Sequence, residues 1–147
     1  MRLVELPAGQ VVLLATRAIL VGCGDGLARD WSAAKLRPKG PDVILFTDGS
    51  ARQISGLYGL LDAMREAGRH QLVRIITPLT DDRVAPLLGA YLQSESSGFP
   101  VEVDAELPGA ELQLGAVRIT LGYSPLGVTY TLRGMDRTLE FHPGLDT

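Results

Sequence analysis

The chain has 147 residues, enough to bury a hydrophobic core without disulfides or structural metals, and we treat it as one domain over 1–147. Apolar residues make up 46% and charged residues 21%, which is ordinary for a soluble globular protein. A net charge of −3 gives no general attraction to nucleic acid or to anionic membranes, so neither is expected as a partner. One cysteine, no signal-peptide pattern and no run near the roughly 20 apolar residues of a membrane span favour a cytoplasmic protein.

Residues up to about 97 alternate between predicted strands and helices. Strands are predicted over 1–6, 10–16, 17–21, 43–46 and 72–76 from their apolar runs and bounding turns. Helices are predicted over 27–36 and 54–67, and a third, capped by Asp81 and Asp82, carries its apolar face from Val84 to Tyr91. This part of the chain is therefore predicted to be α/β.

From about residue 98 to 147 the pattern becomes β-rich. Short strands are predicted over 100–103, 111–114, 117–121, 128–132 and 138–141, separated by Gly and Pro turns. Strict alternation puts Val117, Ile119 and Leu121 on one face of their strand. We expect these strands to build a second sheet.

The segment from Phe46 to Leu57 joins a buried strand to an amphipathic helix. It resembles the strand-to-helix turn of the metallo-β-lactamase superfamily, most closely its RNase Z-like branch. That turn reads Thr-His-x-His-x-Asp-His-x-x-Gly, and its His and Asp side chains hold two zinc ions. Thr47 and Gly56 match the frame, but the ligand positions hold Asp48, Ser50, Arg52 and Gln53.

Three further segments extend the resemblance over almost the whole chain. Residues 18–26 resemble the family's Leu-hydrophobic-Asp-Cys-Gly-x-Gly, with Gly22 in place of the Asp. Residues 123–130 resemble its His-Ser-x-x-Gly-x-x-Tyr, with Tyr123 in place of the metal-binding His. The C-terminal segment resembles the strand leading to Gly-Asp-Thr, so Asp146 approximates the metal-bridging Asp after an inserted residue. The family's last His ligand would lie beyond residue 147.

The resemblance implies a partial αββα sandwich of α/β class, corresponding to the N-terminal portion of the family domain. A mixed sheet with helices on one face would be followed by the short-stranded β region. The positions of the former metal site would be vestigial: Asp48, Ser50, Arg52, Gln53, Tyr123 and Asp146. We expect no metal or other cofactor, and zinc least of all; a weak single-ion site using Asp48, His142 and Asp146 is the alternative.

Three functions are compatible with these residues. The leading hypothesis is a non-catalytic relative that acts through protein contact, as a homodimer or with a separate subunit, because the second sheet would leave an uncovered face or an unpaired edge. The second is a metal-dependent hydrolase remnant acting on a phosphoester or another ester, with unusual or intersubunit ligands. The third is a small-anion-binding protein that uses Arg52 and Gln53 at a helix N-terminus.

Other candidate features have a structural interpretation that we favour. The glycine cluster from Gly22 to Gly26 is predicted to be a tight strand-to-helix turn rather than a phosphate-binding loop, because the full dinucleotide fingerprint is absent. Ser55 is predicted to cap a helix, Cys23 to be a buried small residue, and Trp31 to pack in the core.

Overall fold

A computed structural model of the protein describes residues 1–79, 83–94, 98–125 and 127–143, with side chains described outside residues 90–94. The predicted helix cap at Asp81 and Asp82 lies outside these ranges. The first sheet has six strands: β1 (Arg2–Leu6), β2 (Gly9–Leu13), β3 (Ala18–Val21), β4 (Val43–Leu45), β5 (Val73–Pro78) and β6 (Val101–Glu106). The helices are α1 (Leu27–Ala33), α2 (Ala51–Ile54), α3 (Leu57–Glu66) and α4 (Val84–Ser94). The second sheet has four strands: β7 (Glu111–Leu114), β8 (Val117–Ser124), β9 (Gly127–Arg133) and β10 (Thr138–Phe141).

The first sheet is mixed, and its strands follow chain order from β1 to β6. The first three strands pair antiparallel, and β3 to β6 pair parallel, with Leu20 opposite Ile44 and Ile44 opposite Ile75. The central strands are continuous apolar runs, as expected of strands that are buried on both faces. The predicted mixed α/β sheet is confirmed.

The helices cover one face of the first sheet. The i, i+3, i+4 spacing of apolar residues in α3 places Leu57, Leu60, Leu61 and Met64 on one buried stripe. This stripe belongs to one core cluster with Leu20 and other helix-facing residues of the first sheet. The only tryptophan, Trp31 of α1, is buried in the same cluster and donates from Nε1 to the Arg37 carbonyl at 2.7 Å. Trp31 therefore packs in the core, as predicted.

The second sheet covers the opposite face of the first. Its inward side chains alternate along each strand and form a second core cluster with Ile19, Val43 and Leu45 of the first sheet. In β8 the inward residues are Val117, Ile119 and Leu121, as the alternation predicted. Helices, first sheet and second sheet are thus stacked as three layers, which is a partial αββα sandwich.

The structure corrects three expectations about these elements. The strand predicted near residue 100 is β6, which pairs parallel with β5 in the first sheet, so the second sheet begins at β7. The helix predicted over 54–67 is two helices, α2 and α3, separated by Ser55 and Gly56. Ser55 is not the N-cap of a helix: it is the C-cap residue of α2, and the N-cap position of α3 is Gly56.

The outer face of the second sheet differs from the uncovered surface that the sequence led us to expect. Its residues alternate with the buried ones and are polar: Glu111, Gln113, Arg118, Thr120, Thr129, Thr131, Arg133, Thr138 and Glu140. One polar face is common in antiparallel sheets, which can face water on one side. No apolar surface therefore requires a cover there, although among the described residues β7 and β10 each pair on one side only.

A buried ion pair holds the amino-terminal end of β4. Arg69 follows α3, is 3% exposed, and donates to Asp42 Oδ1 at 3.0 Å. It also donates to the carbonyls of Gln71, Lys39 and Leu72 at 2.8–2.9 Å. The other Asp42 oxygen accepts from the Ala18 amide at 3.0 Å, so this pair ties three strands and a helix together.

Candidate functional site

A cleft of about 1050 Å³ lies where β3 and β4 end. Its lining comes mainly from the turn between β1 and β2, the glycine loop at 22–26 with the start of α1, helix α2, and the end of β10 with the residues that follow it. The charged or titratable side chains in its lining are Glu5, Asp25, Arg29, Asp30, Arg52, Glu140 and His142. Both signs of charge are present, so the cleft offers no uniform field for one class of ion.

The glycine loop is bonded to its surroundings through its backbone. Gly22 N–H donates to Leu45 at 3.0 Å, Cys23 N–H to Gln53 at 2.6 Å, and Gly24 N–H to Ala8 at 2.8 Å, in each case to the carbonyl oxygen. A phosphate-binding loop needs such amides free to face the ligand. Since these three amides donate within the protein, the loop is a tight strand-to-helix turn, the interpretation that the sequence favoured.

Close packing explains the glycines of this region. A Cβ atom at Gly56 would lie 1.9 Å from the Gly24 carbonyl oxygen, a distance that no side chain can occupy. The Gly56 amide donates to the Cys23 carbonyl at 2.9 Å, which fixes the α2–α3 junction against the loop. Cys23 itself is fully buried, and burial raises the pKa of its thiol, which keeps it protonated and unreactive.

Asp48, the first of the four positions that the resemblance aligns with metal ligands, is used within its own turn. Its Oδ1 accepts the Ser50 amide at 2.8 Å, a short-range bond typical of turn-forming Asp residues. Ser50 occupies the N-cap position of α2 with an extended backbone, and its side chain makes no capping bond. Both residues therefore shape the entry into the helix.

Gln53, the last of the four positions in the turn, folds back over the end of β4. Its Oε1 accepts the Thr47 amide at 3.2 Å. Its Nε2 would lie 3.1 Å from a Cβ atom at Gly22, where φ is +78°. The sequence comparison assigned the family's Asp to position 22, and here the space over that position is filled by the Gln53 amide.

The predicted anion site loses its backbone donors. The amides of Gln53 and Ile54 both donate to the Ser50 carbonyl, and that of Ser55 donates to Ala51, at 2.9–3.0 Å. Because these three amides are engaged within α2, they are not free to bind an anion. Arg52 is exposed, lines the cleft and interacts with other groups of the protein. Anion binding stays a prediction for its side chain alone.

The remaining predicted positions do not gather at this turn. Tyr123 is 63% exposed and is not among the described residues that line the cleft. Asp146 lies outside the described residues. His142 does line the cleft, with Nε2 at 3.5 Å from Glu140 Oε2, whereas Asp48, its partner in the alternative single-ion site, is absent from the described lining.

The residues present do not fit the two zinc ions that the resemblance implies. In the described part of the chain, no three His, Cys, Asp or Glu side chains lie close enough together to hold a metal. At the turn, Asp48 and Gln53 accept backbone amides, and Arg52 brings a fixed positive charge. A zinc site needs three or four convergent donors, which this turn does not supply.

Two features of the site region escaped the sequence analysis. Thr47 is 4% exposed, lines the cleft, and its hydroxyl has no hydrogen-bond partner among the described residues. Tyr130 of β9 is fully buried and places its hydroxyl 2.6 Å from the Phe46 carbonyl and 3.2 Å from that of Ile76. The alternation of β9 predicts an inward Tyr130, but its carbonyl partners on two other strands depend on tertiary structure.

Comparison with solved structures identifies the fold. The chain superimposes on human tRNase Z, short form, with a TM-score of 0.76 and 14% identity over 92% of this chain and 61% of that one. It is also similar to Zn²⁺-bound PqqB from Methylobacterium extorquens (TM-score 0.70, 16% identity, 92% of this chain and 48% of that one). A third match is the metallo-β-lactamase fold protein YhfI from Bacillus subtilis (TM-score 0.69, 16% identity, 94% of this chain and 54% of that one).

The chain therefore has the metallo-β-lactamase fold, as the motif resemblance implied. It spans about half to three-fifths of the length of these three structures. No family model matches the sequence, and no curated protein does. None of the described helices is long and apolar enough to cross a membrane.

Proposed function

We propose that this chain is a non-catalytic protein of the metallo-β-lactamase fold that acts through contact with another protein chain. The turn that holds metal in the resembling family serves here as a structural element. The chain spans only part of the length of the proteins that share its fold, so we propose its activity and partners from its own residues.

The observation that carries the proposal is the inward fold of Gln53. Its side-chain oxygen accepts the Thr47 amide, and its nitrogen lies over Gly22. A side chain at position 22 would meet Gln53 and would also need a positive φ. Glycine at position 22 therefore leaves the space that the Gln53 side chain fills, and the two residues together stabilise a turn without metal.

The other three positions support the same conclusion. Asp48 accepts the Ser50 amide, and the Arg52 guanidinium is a permanent cation that opposes binding of a second cation. Cys23, a possible thiolate ligand or nucleophile near the cleft, is kept neutral by burial. The described residues hence offer neither a metal ligand set nor an activated nucleophile.

Hydrolysis is the alternative that an experiment must exclude. We would assay the purified chain with bis(p-nitrophenyl) phosphate, alone and with added Zn²⁺ or Mn²⁺. A second sample would carry Asp48→His, Ser50→His, Arg52→Asp and Gln53→His together. We expect no turnover in either. The wild type lacks the ligands of the turn, and the variant still has Tyr123 of β8 where the family has a metal-binding His.

Turnover that co-elutes with the wild-type chain, requires the added metal and falls after Asp48→Ala would contradict the proposal. Asp48→Ala is suited to this purpose because it removes the one carboxylate of the turn. Its matched control is Asp62→Ala in α3, where the carboxylate pairs with Arg65 one turn along the same helix.

A further inference from the structure

We propose that the outer face of the second sheet is a self-association surface that takes a second copy of this chain. The inference rests on the contact part of the proposed function and not on the loss of catalysis. It depends on how charge is arranged over four paired strands.

Two adjacent rows of side chains cross this face. The strand register places Thr138, Arg133, Arg118 and Gln113 side by side in the first row, from β10 to β7. It places Glu140, Thr131, Thr120 and Glu111 in the second row. The first row thus has two positive charges at its centre, and the second has two negative charges at its ends.

The arginine pair is unusual for a sheet surface. Arg118 and Arg133 are directly opposite each other on neighbouring antiparallel strands, and both are exposed. Like charges in this arrangement destabilise a sheet. Within the described residues, neither arginine forms an ion pair that would offset the repulsion. The two guanidinium groups are therefore available to carboxylates from outside the chain.

A second copy supplies those carboxylates by symmetry. A two-fold axis that runs across the strands, between the two rows, places the arginine row of one copy over the glutamate row of the other. Each arginine is then offset sideways from a partner glutamate by one strand spacing, about 4.8 Å, and the long side chains span the gap of about 10 Å between the two sheets. Four arginines face four glutamates across such an interface, and the arrangement is isologous, as two-fold dimers require.

The size of the face sets the strength of the contact. Four strands at about 4.8 Å spacing, with two rows about 7 Å apart, give a surface of roughly 270 Å² per copy. This is about a third of the roughly 800 Å² that each partner buries in a standard interface. The dimer should therefore be weak, with a Kd on the order of 100 µM, and it should dissociate as salt is added.

Charge reversal tests the pairing directly. One variant carries Arg118→Glu and Arg133→Glu, and a second carries Glu111→Arg and Glu140→Arg. We would measure the mass of each by sedimentation velocity from about 20 µM to about 500 µM in low-salt buffer. We expect the wild type to dimerise with rising concentration, each variant alone to lose at least tenfold in affinity, and an equimolar mixture of the two to regain it as a heterodimer.

The control reverses two exposed arginines that lie off this face, Arg2→Glu and Arg17→Glu, with the same change in net charge. It should dimerise like the wild type. Thermal unfolding checks the fold: Arg118→Glu should raise or leave unchanged the melting temperature, because it replaces a like-charged pair by an opposite one.

A wild type that stays monomeric throughout this range would overturn the proposal. So would a dimer that persists in both variants, since another surface would then form it. A failure of either kind leaves the metal and hydrolysis measurements untouched, so it is distinguishable from a failure of the non-catalytic assignment.

Discussion

Replacing Asp42 by alanine should strongly destabilise the fold, because it leaves the buried Arg69 without its carboxylate. The Arg69 side chain is 3% exposed and that of Asp42 is 11% exposed. Little water therefore reaches the guanidinium in the folded chain to replace the lost partner. The change also removes the acceptor of the Ala18 amide, which lies 3.0 Å from Asp42 Oδ2.

The expected loss in free energy of unfolding for Asp42→Ala follows from the bonds that Arg69 keeps. Removing one partner of a buried ion pair costs about 3–5 kcal/mol. Arg69 keeps its bonds to three nearby carbonyls, so the lower end of that range applies. For a chain of this length, about 3 kcal/mol corresponds to a fall of roughly 9 °C in melting temperature. The effect should reach the candidate site, since Asp42 precedes β4 and the site turn follows β4.

Urea unfolding followed by the fluorescence of Trp31, the only tryptophan, measures this loss. The matched control is Asp62→Ala, which breaks the half-exposed pair with Arg65 on α3. That control should cost less than about 1 kcal/mol, as surface pairs do. If Asp42→Ala costs no more than the control, the argument that this pair fixes the amino end of β4 is refuted.

Three further predictions concern the packing around the site. Gly56→Ala should prevent correct folding, because its Cβ would lie 1.9 Å from the Gly24 carbonyl oxygen. The control Gly59→Ala meets nothing within 4 Å and should be neutral or stabilising by up to about 1 kcal/mol. Thermal unfolding followed by circular dichroism compares the two variants. Tyr130→Phe should cost about 1–2 kcal/mol in urea, because it removes the hydroxyl bonds to two strand carbonyls; an unchanged midpoint would contradict this. Burial raises the pKa of the Cys23 thiol above its ordinary 9.0. The contribution of the buried, protonated thiol to the free energy of unfolding is therefore complete below pH 9 and is lost as the pH rises above 9. Cys23→Ala should make the fall in stability at alkaline pH less steep.

Local patterns predicted much of the fold. The apolar runs of β3 and β4, the helical spacing in α3 and the alternation of β8 each correspond to the observed element. The place of β6 could not be predicted in the same way, because a short strand of alternating acidic and apolar residues is compatible with either sheet. Only its pairing with β5 places it at the edge of the first sheet.

The strand-to-helix turn was predicted in position, but its interactions were not. The order of the motifs located the turn at 46–57 and its altered ligand positions. The bond between Gln53 and the Thr47 amide could not be inferred, since it depends on the backbone bend that brings α2 over the end of β4. The anion hypothesis placed the amides of residues 53–55 at the free start of a helix. The helix α2 begins earlier, at Ala51, and these amides donate to the carbonyls of Ser50 and Ala51.

The central proposal is that the turn at 46–57, which resembles a metal-binding turn, is a structural element without metal. The most direct measurement is the zinc content of the chain, purified without chelator and analysed by plasma mass spectrometry together with iron and manganese. We predict far less than one metal ion per chain and no change in melting temperature when EDTA is added. One or more ions per chain, lost together with stability on chelation, would contradict the account.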